Sequence, residues 1–179
     1  MTTVSNAITL LSEQHRNIIE SFALFEAVRD DASAECRQSI VDEACDALEL
    51  HNRIAEEVFY PALDANGDSA RLIEEARVKH RVARHLIDQL RSMDAEDPRY
   101  DATFTVLGQY VRYHVEMESS RVFPEARRTG VDLDALGGRM SQRVQELQLR
   151  RPRAEHACRA QHAAHTPLVS SSQPAYAAS

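Results

Sequence analysis

His114 and Glu118 stand four positions apart. On a helix, residues at that spacing lie one above the other on a single face, so an imidazole and a carboxylate address the same volume. Such a pair is half of a metal site. Nearly the same phrase occurs earlier in the chain. His51 is followed by Glu56 and Glu57, and each of the two histidines is followed ten positions later by the proline of an aromatic-Pro pair, Tyr60-Pro61 and Phe123-Pro124. Two further histidines, His15 and His80, each sit inside an apolar stripe of helical period. Neutral imidazoles and carboxylates are borderline-to-hard ligands that suit iron, manganese or zinc. Four histidines with one or two glutamates leave coordination positions open, and open positions on iron(II) bind oxygen, peroxide or nitric oxide. Zinc, being redox-inert, would make the site structural.

The elements that must carry these residues follow from the apolar period. A first helix is expected from about Ser5 to Asp30, with Ile8, Leu11, His15, Ile18, Phe22 and Phe25 on one face. After a capping turn ending at Ser33, a second runs from Ala34 to Leu63 and carries His51. Asn66, Gly67 and Asp68 end it and offer Ser69 as the cap of a third helix, Ala70 to Met93, with His80 central. His85 falls about 140° round that helix from His80, on the surface. A fourth helix, Pro98 to Arg127, carries His114 and Glu118. Thr129-Gly130 closes it, and a short fifth opens near Asp132, with Gly137-Gly138 as a candidate interruption before Leu149.

One histidine on an apolar face is ordinarily a satisfied core residue. Here 65 positions separate His15 from His80 and 63 separate His51 from His114, so a two-helix phrase is stated twice. Two such hairpins, packed antiparallel, form an all-α, up-and-down four-helix bundle in which the four histidines converge. Burying several imidazoles and carboxylates without a cation costs several kcal/mol per unpaired group. Convergence therefore favours a metal.

A chain of 179 residues with 43% hydrophobic and 27% charged content supports one soluble domain, expected over residues 1–149. No apolar run approaches the roughly 20 residues of a membrane span, and the first residues lack the basic-then-apolar order of a signal peptide, so a cytoplasmic protein is expected. Cys36, Cys45 and Cys158 are an odd number without CxxC spacing and read as small thiols rather than a cluster. Residues 1–149 hold 17 basic and 27 acidic groups, a balance of −10, which excludes nucleic acid as a natural partner. From Arg150 the apolar period disappears and Arg, Pro, Ala, His and Ser dominate, so 150–179 reads as a disordered tail. His156, His162 and His165 lie there without fixed spacing.

Taken together, Gln14-His15, His51 with Glu56, Glu57 and Phe59-Tyr60-Pro61, Lys79-His80 with Leu86-Ile87, and His114 with Glu118 and Phe123-Pro124 resemble the hemerythrin-like, or HHE cation-binding, domains over roughly residues 5 to 148. The resemblance implies a four-helix bundle with a short extra helix around two non-haem irons, held by two lone histidines and two His-x-x-x-Glu pairs. His15, His51, His80, His114 and Glu118 match that pattern. Four residues after His51, however, stands Ala55, where the family has glutamate. Oxygen-carrying hemerythrins use a carboxylate five residues after a histidine, so Glu56 is carried over as the substitute ligand. The alternative is a lopsided site with one iron. Arg84 occupies the place of a further histidine of the oxygen carriers, which argues against reversible oxygen carriage. The resemblance thus implies a non-haem iron protein that binds or senses oxygen, peroxide or nitric oxide, or handles iron. Two other classes stay open: a weak peroxide-decomposing enzyme, with Glu56, Glu57, Tyr60 or Tyr113 to move protons, and a metal-free helical interaction module.

Overall fold

A computed structural model of the chain describes residues 6–64 and 69–149. The expected turn at Asn66, Gly67 and Asp68 and the expected tail, with His156, Cys158, His162 and His165, lie outside the described residues.

Helix α1 (Ala7–Val28) begins where Asn6 Oδ1 accepts the Thr9 backbone N–H at 2.9 Å, and it buries Leu11, His15, Ile18, Phe22 and Phe25. Ser33 caps α2 (Ala34–Ile54) in the same way, accepting from the Cys36 N–H. The second rod does not continue as a plain α-helix to Leu63. A π-helical turn, Ala55–Phe59, intervenes before the short α3 (Tyr60–Asp64). After α4 (Ala70–Ser92) comes the second statement of the same pattern: α5 (Tyr100–Met117), a π-helical turn at Glu118–Val122, and α6 (Phe123–Arg128). Gly130, at φ +72°, makes the left-handed turn that releases the chain into α7 (Leu133–Leu149).

Two local expectations change. Ser69 does not cap α4 through its side chain; its hydroxyl donates to Glu125 Oε1 at 3.1 Å and ties the start of α4 to α6. Nor do Gly137 and Gly138 interrupt the last helix. Leu136 and Met140 are fully buried on either side of them, and that packing outweighs the roughly 1 kcal/mol helix penalty of each glycine.

The four rods pack as α1 on α2 and α4 on α5, with the hairpins joined through α1–α5 and α2–α4, while α7 lies across the outer side of α1 and α2. Gly108, in the middle of α5, permits the α1–α5 approach, since a Cβ there would stand 2.9 Å from Phe22 Cδ1. Among the described residues the molecule is all-helical, and none of its helices is long and apolar enough to cross a membrane. Cys45 is a buried free thiol whose pKa burial pushes up to about 12; Cys36, read in the sequence as a small thiol, is instead disulfide-bonded.

The apolar core is divided in two. One cluster gathers Leu11, Ile54, Phe59, Leu63, Ile73 and Met140 near the π turns; the other gathers Phe22, Phe25, Val41, Leu48, Ile87 and Phe104 toward the opposite end. Between them runs a buried polar belt of His15, His51, His80, His114 and Glu118.

Candidate metal centre

Each rod places one histidine at the level of the belt, and the four rings meet in two pairs. His15 of α1 and His51 of α2 bring their Nε2 atoms to 3.4 Å with ring centroids 4.6 Å apart. His80 of α4 and His114 of α5 bring theirs to 3.0 Å with centroids 4.7 Å apart. Glu118 lies between the pairs, fully buried. Its Oε2 is 2.9 Å from His15 Nε2 and 3.6 Å from both His51 and His114 Nε2. Its Oε1 accepts a short hydrogen bond from the Tyr60 hydroxyl, which is itself 3.4 Å from His80 Nε2. Ligand atoms of His51, His80, His114 and Glu118 all fall within 4.8 Å of one another.

The contacts within this set, His15 to His51, His80 to His114 and Tyr60 to Glu118, do not satisfy every polar atom in it. Although His15 Nε2 is close to Glu118 Oε2, it is poorly aligned as a donor, and that oxygen is buried with no hydrogen-bond partner. Burial lowers the pKa of His51 and His80, and lowers that of His114 to about 3, despite the pull of Glu118 in the other direction. Burial alone would raise Glu118, but His114, His15 and His51 outweigh it and hold the carboxyl well below its usual range. The protein therefore presents an ionised carboxylate beside the deprotonated imidazoles of His51, His80 and His114, which are the ligating forms. An uncompensated carboxylate in such a core costs several kcal/mol. A cation at the convergence of the Nε2 atoms offsets that cost, and the donor set fits one.

The outer nitrogens of two rings are held. His51 Nδ1 lies 3.2 Å from Gln14 Oε1 and His80 Nδ1 lies 3.1 Å from Glu56 Oε1. Each contact favours the tautomer with hydrogen on Nδ1 and the lone pair on Nε2, facing the centre. Glu56 is in turn gripped by both terminal nitrogens of Arg84, at 3.0 Å each. Burial would raise Glu56, yet His80 and Arg84 bring its pKa down to about 2. Of the six residues singled out in the sequence, five converge. Glu56 does not join the Nε2 centre; both its oxygens are engaged at the back of His80.

Ala55, where the pattern lacks its carboxylate, is wholly buried among apolar neighbours. The oxygen on that side comes from Tyr60. In an uninterrupted α-helix a residue nine positions after His51 would point about 180° away from it. The π turn absorbs one extra residue and swings position nine back to within about 80° of the histidine. Phe123 is brought inward identically after His114. Tyr60 stacks on His80 (5.6 Å, 28°), and Phe123 stacks on His15 (5.9 Å, 14°). One half of the bundle thus offers a carboxylate at position four and a phenyl ring at nine; the other offers a methyl group at four and a phenol at nine. The repeated aromatic-Pro phrase was the signal for this, visible in the sequence but without the π turn that gives it direction. Of the other residues considered for moving protons, Glu57 pairs with Arg53 and Arg143 on the surface, and Tyr113 is 59% exposed, away from the belt.

Comparison with known proteins agrees with this geometry. The family profile described as "Hemerythrin HHE cation binding domain" matches residues 6–126. Uncharacterized proteins of Mycobacterium tuberculosis and Mycobacterium bovis are 27% identical over 121 residues, covering 64% of this chain and 71% of theirs. The crystal structure of a hemerythrin HHE cation binding domain-containing protein from Mycobacterium kansasii superposes with a TM-score of 0.67 at 26% identity, covering 79% of this chain and 86% of that one.

Proposed function

This chain belongs to the hemerythrin HHE cation-binding family, and from that premise we propose that it holds two non-haem irons and uses them to bind or react with a small oxygen or nitrogen species such as peroxide, dioxygen or nitric oxide. The observation that carries the reading is the division of the belt into two histidine pairs with Glu118 between them. His15 and His51 would hold one ion and His80 and His114 the other, with the Glu118 carboxylate within reach of both pairs. Tyr60, whose hydroxyl reaches Glu118 and His80, would offer the oxygen that Ala55 lacks. When bound, iron provides open coordination positions and electrons for the small ligand.

The chain's own residues set the conditions. The two apolar clusters exclude water from the belt. Tyr60 has its pKa raised, first by burial and then by Glu118, so its hydroxyl keeps its proton and donates a hydrogen bond to Glu118. Arg84 and Glu56 hold His80 from behind and leave no fifth histidine at the centre. Peroxide decomposition is the second reading. It is favoured by Tyr60, the one residue of the four considered for moving protons whose hydroxyl reaches the belt.

Metal analysis of the purified chain, followed by optical titration with peroxide and with nitric oxide, tests this. Iron near two per chain with a spectral response to either ligand is expected. Iron near one makes the site lopsided. Zinc alone defeats the proposal and makes the site structural; no metal defeats it and favours the interaction module.

A further inference from the structure

We propose that the outer groove between α4 and α5 is where a second copy of this chain docks, forming a two-fold dimer through that face. The argument starts from α7. It lies over the α1–α2 hairpin along a groove lined by Leu10, Glu13, Gln14, Asn17, Ala47 and Leu50. Moving that lining to the second hairpin by the repeat spacings of 65 and 63 positions gives Glu75, Val78, Lys79, Val82, Tyr110 and Tyr113. Lys79 is buried and Glu75 and Tyr110 are half-buried, while the other three stand open to solvent. Val78 is 45% exposed, Val82 40% and Tyr113 59%, and Val106, further along α5, is 51% exposed. Apart from Leu149 at the end of α7, these are all the exposed large apolar side chains among the described residues.

The distribution runs against what water alone would favour. The hairpin that α7 covers carries Glu13 and Asn17 at positions where the uncovered hairpin carries Val78 and Val82. Scattered exposed valines need no explanation, but a set aligned on the counterpart of an occupied helix seat marks an interface.

Charge selects the occupant. In the groove Lys79 and Arg121 both pair with Glu75, at 2.7 and 3.1 Å, and Lys79 Nζ sits 4.8 Å above the Tyr113 ring, so the face is close to neutral. The first hairpin, residues 6–64, has four basic against thirteen acidic residues, a balance of −9; residues 70–128 have eleven against ten, a balance of +1. Two copies meeting through α4 and α5 keep both acidic hairpins at the far ends of the dimer, where their repulsion is weakest. The segment 150–179 is a poorer occupant. It follows α7, whose Gln148 lines the groove on the opposite side of the bundle, and its four arginines have no acidic face to meet here.

Sedimentation equilibrium of the full metal-loaded chain over a range of concentrations, beside Val82→Glu, tests the proposal. The parent should reach a dimer, and Val82→Glu should weaken it by about tenfold or more. Helicity and metal content should not change, so the result stands apart from the metal reading. Should Val82→Glu lose helicity, Val106→Glu serves in its place. A parent that stays monomeric at every concentration overturns the proposal, as does a dimer that neither substitution weakens. A chain ending at Leu149 that dimerises when the full chain does not would assign the groove to the C-terminal segment and equally overturn it.

Discussion

Tyr60 and Phe123 stand nine positions after His51 and His114 and stack on histidines of opposite pairs, yet only Tyr60 carries a hydroxyl, and that hydroxyl meets the carboxylate of the other half, Glu118. The repeat is thus symmetric in backbone and asymmetric in chemistry. Both halves aim an aromatic ring into the belt through a π turn, and the half without the carboxylate carries the phenol.

Tyr60→Phe should separate the structural from the ligating part of this relationship. In the metal-free protein it leaves Glu118 Oε1 buried without its donor, at a cost of about 1–3 kcal/mol. In the loaded protein the second iron should bind more weakly, and any visible absorption arising from a phenolate on ferric iron should vanish. Urea unfolding of the metal-free form and the spectrum of the loaded form check the two parts. A spectrum and iron content identical to the parent's would remove Tyr60 from the site.

Arg84→Ala and Glu56→Ala release His80 from behind without removing a group that faces the Nε2 centre. Both should keep the metal stoichiometry and lower affinity by about 10- to 100-fold, with Glu56→Ala the larger effect. Competition with a chelator measures this. If Glu56→Ala instead loses a whole equivalent of iron at saturation, Glu56 is a ligand.

Restoring the family residue by Ala55→Glu should harm the protein. Ala55 is wholly enclosed, and inserting a longer side chain into a packed core costs about 1–3 kcal/mol before the carboxylate is desolvated. Combined with Tyr60→Phe, which removes the competing oxygen, the new glutamate should recover iron lost by Tyr60→Phe alone. Thermal melting and metal analysis of the single and double variants would show whether the two oxygens are alternatives; no recovery in the double variant would mean they are not.

Acid should destabilise the metal-free chain from near neutrality downward. His51, His80 and His114 have folded pKa values below their ordinary 6.5, His114 at about 3. The unfolded chain therefore takes up protons first as pH falls through 6.5, and their contribution to stability is lost progressively toward the folded values. Glu56, lowered from 4.5 to about 2, and Glu118 act in the same direction below 4.5. Bound metal should dissociate as the same atoms take up protons. A metal-free melting temperature that stays level between about pH 7 and about pH 5 would contradict this.

The bundle and the four histidines were legible in the sequence because both are written in the period of the α-helix. His15, His51, His80 and His114 each fall on an apolar stripe, and each stripe became a buried face. What escaped is what departs from that period. Glu56, at five positions from His51, could be placed only by assuming that its turn rotates inward; it reaches round to His80 Nδ1, drawn by Arg84, a partner 28 positions away. In the sequence Tyr60 reads only as a residue able to move protons; its place facing the belt escaped, since a π turn inside a helix leaves no mark in hydropathy. The Gly137-Gly138 pair misled because the apolar contacts of Leu136 and Met140, which hold that helix together, lie outside any local rule.

The belt also fixes how the molecule comes apart. The apolar cluster beside the π turns and the cluster at the far end share no continuous oily interior, so the polar belt is a fault line across every rod at one level. Amide exchange in the metal-free chain should then proceed in two blocks of unequal protection, one on each side of it. A cation clasped by residues from all four rods welds the blocks, and opening either end then requires breaking its bonds. The centre is in that sense the keystone of folding cooperativity: loading it should merge two opening events into one.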